Sequence, residues 1–237
     1  MMLVKSTPYG VKDNAYTKLY LDCNGANAAT VIKDRSASAR TITPAGGAAL
    51  STTQKVFGPT SLYVDGSGDY VSAPHSTDWN LGTSSFTFEA WVYFATTPAT
   101  GVIFSRGDDS THYMMMEHYA TSNRLILGTI IASETWGLQA YISFTPSSDV
   151  WYHIAFCRNG TTWMKIGVDG TLTDVTYAAG NASYNFPSYT AGTMQVGGSS
   201  TGGQYWNGYI DDVRITIGDC KYTDNFTPPR RSFGGGS

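Results

Sequence analysis

At 237 residues the chain is long enough to bury a real core as one large domain, and its composition, rich in Gly (26) and Tyr (16) with only 14% charged residues, favours strands and turns over helices. The net charge of -3 offers nothing to attract nucleic acid or an anionic membrane surface, and no apolar run approaches the roughly 20 residues that span a bilayer. The three cysteines, Cys23, Cys157 and Cys220, have neither CxxC spacing nor a Cys/His pattern, so they point to neither a zinc site nor a disulfide framework; buried free thiols are expected.

Residues 1–15 carry no periodicity and are broken by Pro8 and Gly10, which predicts an arm ordered by a partner. The domain is expected over residues 16–233. It opens with a strand over Tyr16 to Cys23, closed by Asn24-Gly25, and continues through a short strand at Thr41-Ile42-Thr43 and a loop from Gly46 to Phe57-Gly58. Ser61 to Asp65 reads as a strand, and Tyr70 to Ala73 as its hairpin partner across Gly66-Ser67-Gly68-Asp69. Phe86-Thr87-Phe88-Glu89-Ala90-Trp91-Val92-Tyr93-Phe94 is bulky on both faces, which predicts a central strand covered on both sides, with Trp91 and later Trp151 in the core. Runs at Val102–Ser105, Tyr113–Glu117, Arg124–Ile131 and Leu138–Phe144 have the spacing of a meander. A second two-sided strand, Trp151 to Cys157, turns at Asn159-Gly160 into Trp163–Val168, and Asp169-Gly170 is a further hairpin signal.

A long loop from Tyr177 to Ala191 precedes a short strand at Met194–Val196 and then the run Trp206 to Thr216. Strict alternation in that run places Tyr209, Asp211, Val213 and Ile215 on one face and Ile210, Asp212, Arg214 and Thr216 on the other, so its two adjacent acids point opposite ways. Burying either costs free energy unless backbone N–H donors, an arginine or a metal meets it. Prolines extend the tail at Phe226–Phe233, and Gly234-Gly235-Gly236-Ser237 reads as a flexible end. About a dozen short strands without a credible helix argue for an all-β fold of two antiparallel sheets packed face to face.

Six blocks in order carry a resemblance: Leu19-Tyr20-Leu21-Asp22, the run Phe57 to Val71, Phe86 to Val92, Trp151 to Ala155, Val168-Asp169-Gly170 and Asn207 to Ile215. Together they resemble the concanavalin A-like lectin/glucanase superfamily, in its laminin-G-like form. The resemblance implies a jelly-roll β-sandwich whose first and last strands lie close together. The Phe57–Val71 block with the Tyr222–Pro229 tail is similar to modules of tailed-phage virion proteins. That similarity implies a virion-surface protein, assembled in the host cytoplasm as a capsid decoration or fibre-type component, with other virion proteins and further copies of itself as partners. A free carbohydrate-binding protein and a receptor-binding tail adhesin are the alternatives.

Glucanases of the superfamily carry Glu-x-Asp-x-x-Glu or Glu-x-Asp-x-Glu on one strand, because glycoside hydrolysis needs two placed carboxyls. The chain has no such run, and Glu89, Glu117 and Glu134 are its only glutamates, so no enzyme is expected and a glycoside hydrolase is a remote reading. His75, His112, His118 and His153 show no metal-ligand spacing. Asp22, Asp65, Asp69, Asp211 and Asp212 fall in blocks that the fold brings towards one end or edge. They read either as ligands of a structural calcium ion, with Asp22 and Asp211 as the leading pair, or as turn caps that accept backbone N–H bonds. For a polysaccharide ligand, Tyr113, Trp136, Tyr205 and Trp206 fall at strand ends or in loops, where aromatic faces could stack on sugars.

Overall fold

The computed structural model describes residues 15–96, 98–133 and 135–233. The expected arm, apart from Ala15, and the Gly/Ser tail lie outside the described residues. Strands form where β-branched and aromatic residues cluster between turn formers. In chain order they are β1 (Thr17–Leu21), β2 (Thr43–Ala45), β3 (Ala49–Ser51), β4 (Ser61–Asp65), β5 (Tyr70–Ala73), β6 (Phe86–Phe94), β7 (Gly101–Asp109) and β8 (His112–Tyr119). They continue as β9 (Arg124–Ala132), β10 (Thr135–Ser143), β11 (Trp151–Asn159), β12 (Trp163–Val168), β13 (Thr171–Asp174), β14 (Thr176–Ala179), β15 (Met194–Val196) and β16 (Asn207–Ile217). Single 3-10 turns at Thr77–Trp79 and Ala120–Ser122 are the only helical structure among the described residues.

The strands make two antiparallel sheets. The first runs β13-β12-β11-β6-β16-β4-β3, with β1 also paired to β16, and the second runs β14-β10-β9-β8-β7-β15-β5-β2. The expected meander is β7 to β10, and the expected central strand, β6, lies between β11 and β16. At both margins the chain crosses from sheet to sheet within a few residues, β2 to β3 and β13 to β14, so each crossing joins an edge strand of one sheet to an edge strand of the other. Between the sheets lies one continuous core that includes Leu62, Phe86, Phe88, Phe104, Leu127 and Phe156. Each such side chain contributes about 1.5–3 kcal/mol by leaving water.

Three expectations change. Ser61–Asp65 and Tyr70–Ala73 are not hairpin partners: β4 pairs with β3 and β16 in the first sheet, β5 with β2 and β15 in the second. The glycine-rich turn between them is a sheet-to-sheet crossing. Trp91 and Trp151 are half-buried on the outer side of the first sheet and stand outside the core cluster. Alternation in β16 also fails, because Asp211 pairs with Trp91 while Arg214 pairs with Glu89, leaving Asp212 and Val213 opposite Ala90 alone. This is a β-bulge, and Asp212 takes the left-handed conformation there with φ 47. Ile210 and Val213 both enter the core, and neither acid does.

The bulge sits where the neighbour of β16 changes. Residues 207–210 pair with β4, and the stretch from Val213 to Thr216 pairs with β1, so two short strands share one long edge.

Candidate functional site

The outer face of the first sheet is closed by the chain itself. Glu89 is fully buried there, and its Oε1 accepts from Arg214 Nε at 2.8 Å while Oε2 accepts from Tyr222 Oη at 2.7 Å and lies 3.2 Å from His153 Nε2. Burial raises the Glu89 carboxyl, but Arg214, His153 and Tyr222 together hold it at about 2. Over this cluster lies a strap formed by residues 218–233. Tyr222 stacks on Phe226 at 3.6 Å, Phe226 meets the His153 ring at 5.6 Å, and Arg214 lies 3.9 Å from the Phe233 ring. Glu89 is thus a buried anchor between the sheet and the strap.

The five aspartates are engaged by donors of the chain. Asp211 Oδ2 accepts from Val56 N at 2.9 Å and Phe57 N at 3.1 Å, and its Oδ1 accepts from Asp212 N at 2.8 Å. Asp212 accepts from Ser232 Oγ and Phe233 N of the strap. Asp69 accepts from Gly47 N and Asp65 N, while Asp65 accepts from Ser67 N at 2.8 Å. Asp22 accepts from Arg35 Nε at 3.0 Å. Burial raises Asp211 to about 7 and Asp212 to about 8. The charge of nearby Asp22 contributes to that rise in Asp211. Among the described residues no three His, Cys, Asp or Glu side chains gather to hold a metal ion. Lone pairs already committed to amides and a guanidinium do not fit a calcium cage, which needs six to eight oxygens around one point. Asp211 fastens the β3–β4 loop to the bulge, whereas the first and last strands are joined by their own ladder.

The remaining candidate is the outward face of the second sheet, half-buried at Tyr113, Trp136, Gln139 and Tyr141 and buried at Met115, Glu117, Ile126 and Ile130. Met114 and Met116, Leu125 and Leu127, and Leu138, Ala140 and Ile142 enter the core. Their alternates on β8, β9 and β10 therefore face away from it. Tyr113, Ile130 and Trp136 form one cross-strand row on this face. A second row, two residues along, holds Ser105, Met115, Gly128 and Gln139, and a third holds Val102, Glu117, Ile126 and Tyr141. A register shift in β10 between Trp136 and Leu138 turns Trp136 outward. Its ring lies across Gly128, where a Cβ would come within 2.3 Å of Trp136 Cζ3. Glycine there lets the indole lie down on the sheet, where it stays half-buried.

Trp136, Tyr113, Gln139, Tyr141 and Arg124 are half-buried. The Arg124 guanidinium lies 3.8 Å from the Tyr141 ring centre. Glu117 is 2% exposed, its Oε2 has no hydrogen-bond partner among the described residues, and burial raises it to about 7. No second carboxylate shares the outward positions of β8, β9 and β10.

The predicted aromatics thus separate. Tyr113 and Trp136 come together. Tyr205 is half-buried beyond β15, in a bridge with Gly198, its ring near-parallel to Tyr70 at 6.4 Å. Trp206 is not on the surface: it is 1% exposed, packs 4.6 Å from Phe94 and donates its indole N–H to Tyr93 O. Gln139, Tyr141 and Glu117 were missed, although Tyr113, Met115 and Glu117 follow a period of two in the sequence.

A family model described as the concanavalin A-like lectin/glucanases superfamily matches residues 65–217. No curated protein sequence matches the chain. Among solved structures, domain 4 of AbnA, a GH43 extracellular arabinanase from Geobacillus stearothermophilus in complex with arabinotriose, is similar at 15% identity and TM-score 0.63, covering 88% of this chain and 96% of that one. The binding domain of Paraclostridial Mosquitocidal Protein 1 is similar at 13% identity and TM-score 0.58, over 86% of this chain and 49% of that one. The binding domain of botulinum neurotoxin DC in complex with SialylT follows at 16% identity and TM-score 0.57, over 86% and 48%. The chain spans about half the length of these two toxin domains, and at such identities the likeness is one of fold. Since the family match covers β5 through β16, well over half of the chain, and the strands form a two-sheet sandwich, the chain belongs to the concanavalin A-like lectin/glucanases superfamily.

Proposed function

We propose that the chain is a non-catalytic, lectin-like module that binds polysaccharide through the outward face of its second sheet. The observation that carries this reading is the cross-strand row Tyr113–Ile130–Trp136, with the Trp136 indole laid on Gly128 beside Gln139. An aromatic face next to an amide suits a pyranose, which offers an apolar C–H side to the ring and hydroxyls to the amide. Solved relatives of the same fold in complex with arabinotriose and with SialylT lend the reading support. A non-enzymatic role is supported by the carboxyls: Glu117 stands without a partner acid on that face, and Glu89 is bound by Arg214, His153 and Tyr222 under the strap. Glycan-array binding by the purified chain, lost in Trp136→Ala with an unchanged melting temperature, tests it; unaltered binding in that variant would refute the site.

The finer setting is display on a phage particle, docked to other virion proteins. This rests on the Phe57–Val71 and Tyr222–Pro229 blocks, which in the fold are the β3–β4 loop with strands β4 and β5 and the middle of the strap. Detection of the chain in purified particles by mass spectrometry tests that setting, and its absence there would leave a free carbohydrate-binding protein.

A further inference from the structure

We propose that Cys157 and Cys220 are a dithiol site that closes to a disulfide on exposure to a small-molecule disulfide such as oxidised glutathione, stapling the C-terminal strap to the first sheet. This does not depend on what the chain binds. Cys157 lies on β11 with its side chain on the outer face, directly across from Thr87 of β6. The strap is pinned at that same residue, because Lys221 N donates to Thr87 Oγ1 at 2.9 Å. Cys220, one residue earlier, is thereby delivered to Cys157 and packs against the small cluster of Ala155, Cys157 and Tyr222. Both thiols are free and belong to the same small cluster on the outer face, with the Cys220 thiol also directed at Tyr222 O at 3.3 Å. The third cysteine is remote in role: Cys23 is in the main core, its thiol directed at Leu21 O.

The two sulfurs are unequal in a useful way. Cys220 is half-buried and open to a small reagent, whereas Cys157 is fully buried. The hydrogen bond from Cys157 lowers the Cys220 thiol, while burial raises Cys157. Cys220 thiolate attacks one sulfur of the reagent, forming a mixed disulfide and expelling one thiolate. Cys157 then attacks Cys220 Sγ, its proton passing to the second departing thiolate. The protein loses two electrons and two protons, and one small disulfide becomes two thiols.

The purified full chain is incubated with oxidised glutathione and read by intact mass, thiol titration and non-reducing peptide mapping. The expected result is a monomer lighter by two hydrogens, one titratable thiol in place of three, and a Cys157–Cys220 cross-linked peptide reversed by dithiothreitol. Oxidation should also raise the melting temperature of the wild type and not that of Cys220→Ser, whose half-buried position tolerates the change. A stable glutathione adduct on Cys220 without the internal link, a link between two chains, or an unchanged mass would each overturn the proposal.

Discussion

Ser232 Oγ donates to Asp212 Oδ1 at 2.8 Å, fastening the strap to the bulge of the last strand. The bulge turns Asp211 and Asp212 away from the core, yet both remain fully buried, since the strap covers one and the β3–β4 loop the other. Burial, and for Asp212 the nearby acids Asp211 and Glu89, raise their carboxyls to about 7 and about 8. A group whose folded pKa lies above its unfolded value stabilises fully below the unfolded value of about 3.9 and loses that contribution as pH rises through the folded one. Glu117, raised to about 7, acts in the same direction. Melting temperature should therefore fall between about pH 5 and pH 8. Asp212→Asn keeps the acceptor oxygen and tolerates the left-handed φ of 47, so it should be the more stable protein at pH 8, by up to about 5 kcal/mol, and should flatten the decline. A thermal-melt series across that range decides it.

Glu89 works in the opposite sense. Its folded value of about 2 lies below the unfolded one, so its contribution is present above about pH 4.3 and is lost as pH falls towards 2. Breaking the buried pair by Arg214→Met should cost about 3–5 kcal/mol in urea unfolding at pH 7, because the carboxylate would keep only His153 and Tyr222. Glu89→Gln should remove the acid limb of the stability profile, although it also destabilises. If Arg214→Met lost less than about 1 kcal/mol, the anchor role would be wrong.

Much of this was legible in the sequence, and the misses have definite causes. The meander and the central strand follow from β-formers set between turn residues, and the family from six blocks in order. Asp169 with φ 48 and Gly170 with φ 85 make the β12–β13 turn that their residue types announce. The period-two rule failed at bulges, in β16 at Asp212 and in β10 beside Trp136, because one inserted residue reverses every face beyond it. Trp206 precedes an Asn-Gly and looks like a loop residue, but β16 opens at the sandwich end, where Phe94 receives the indole. The β4–β5 pairing differs from expectation for another reason. A short glycine turn serves a hairpin and a sheet crossing equally well, and only the tertiary partners β3, β16, β2 and β15 decide between them.

The seat of Trp136 offers a test that leaves every aromatic in place. A methyl at Gly128 would come within 2.3 Å of Trp136 Cζ3, so Gly128→Ala must lift or swing the indole. The expected outcome is a loss of glycan affinity of at least tenfold by calorimetry, with a folding cost of about 1–3 kcal/mol for the forced shift. Gln139→Ala, on the same face beside that seat, should weaken binding with little effect on stability, since it is half-buried. Retained affinity in both variants would move the site away from this face.

The hydrogen-bonded role of Asp211 also has a direct measure. Asp211 joins two backbone N–H groups of the β3–β4 loop and one of its own bulge, at 2.9, 3.1 and 2.8 Å. Asp211→Ala would leave these donors buried without their acceptor, a cost of about 1–3 kcal/mol for each that stays dry. A drop of several degrees in melting temperature is therefore expected for Asp211→Ala, whereas EDTA or millimolar calcium should leave the wild-type melt unchanged. A calcium-dependent rise, abolished in Asp22→Asn, would instead make Asp22 and Asp211 ligands, and would mean that Asp22 exchanges Arg35 for the cation.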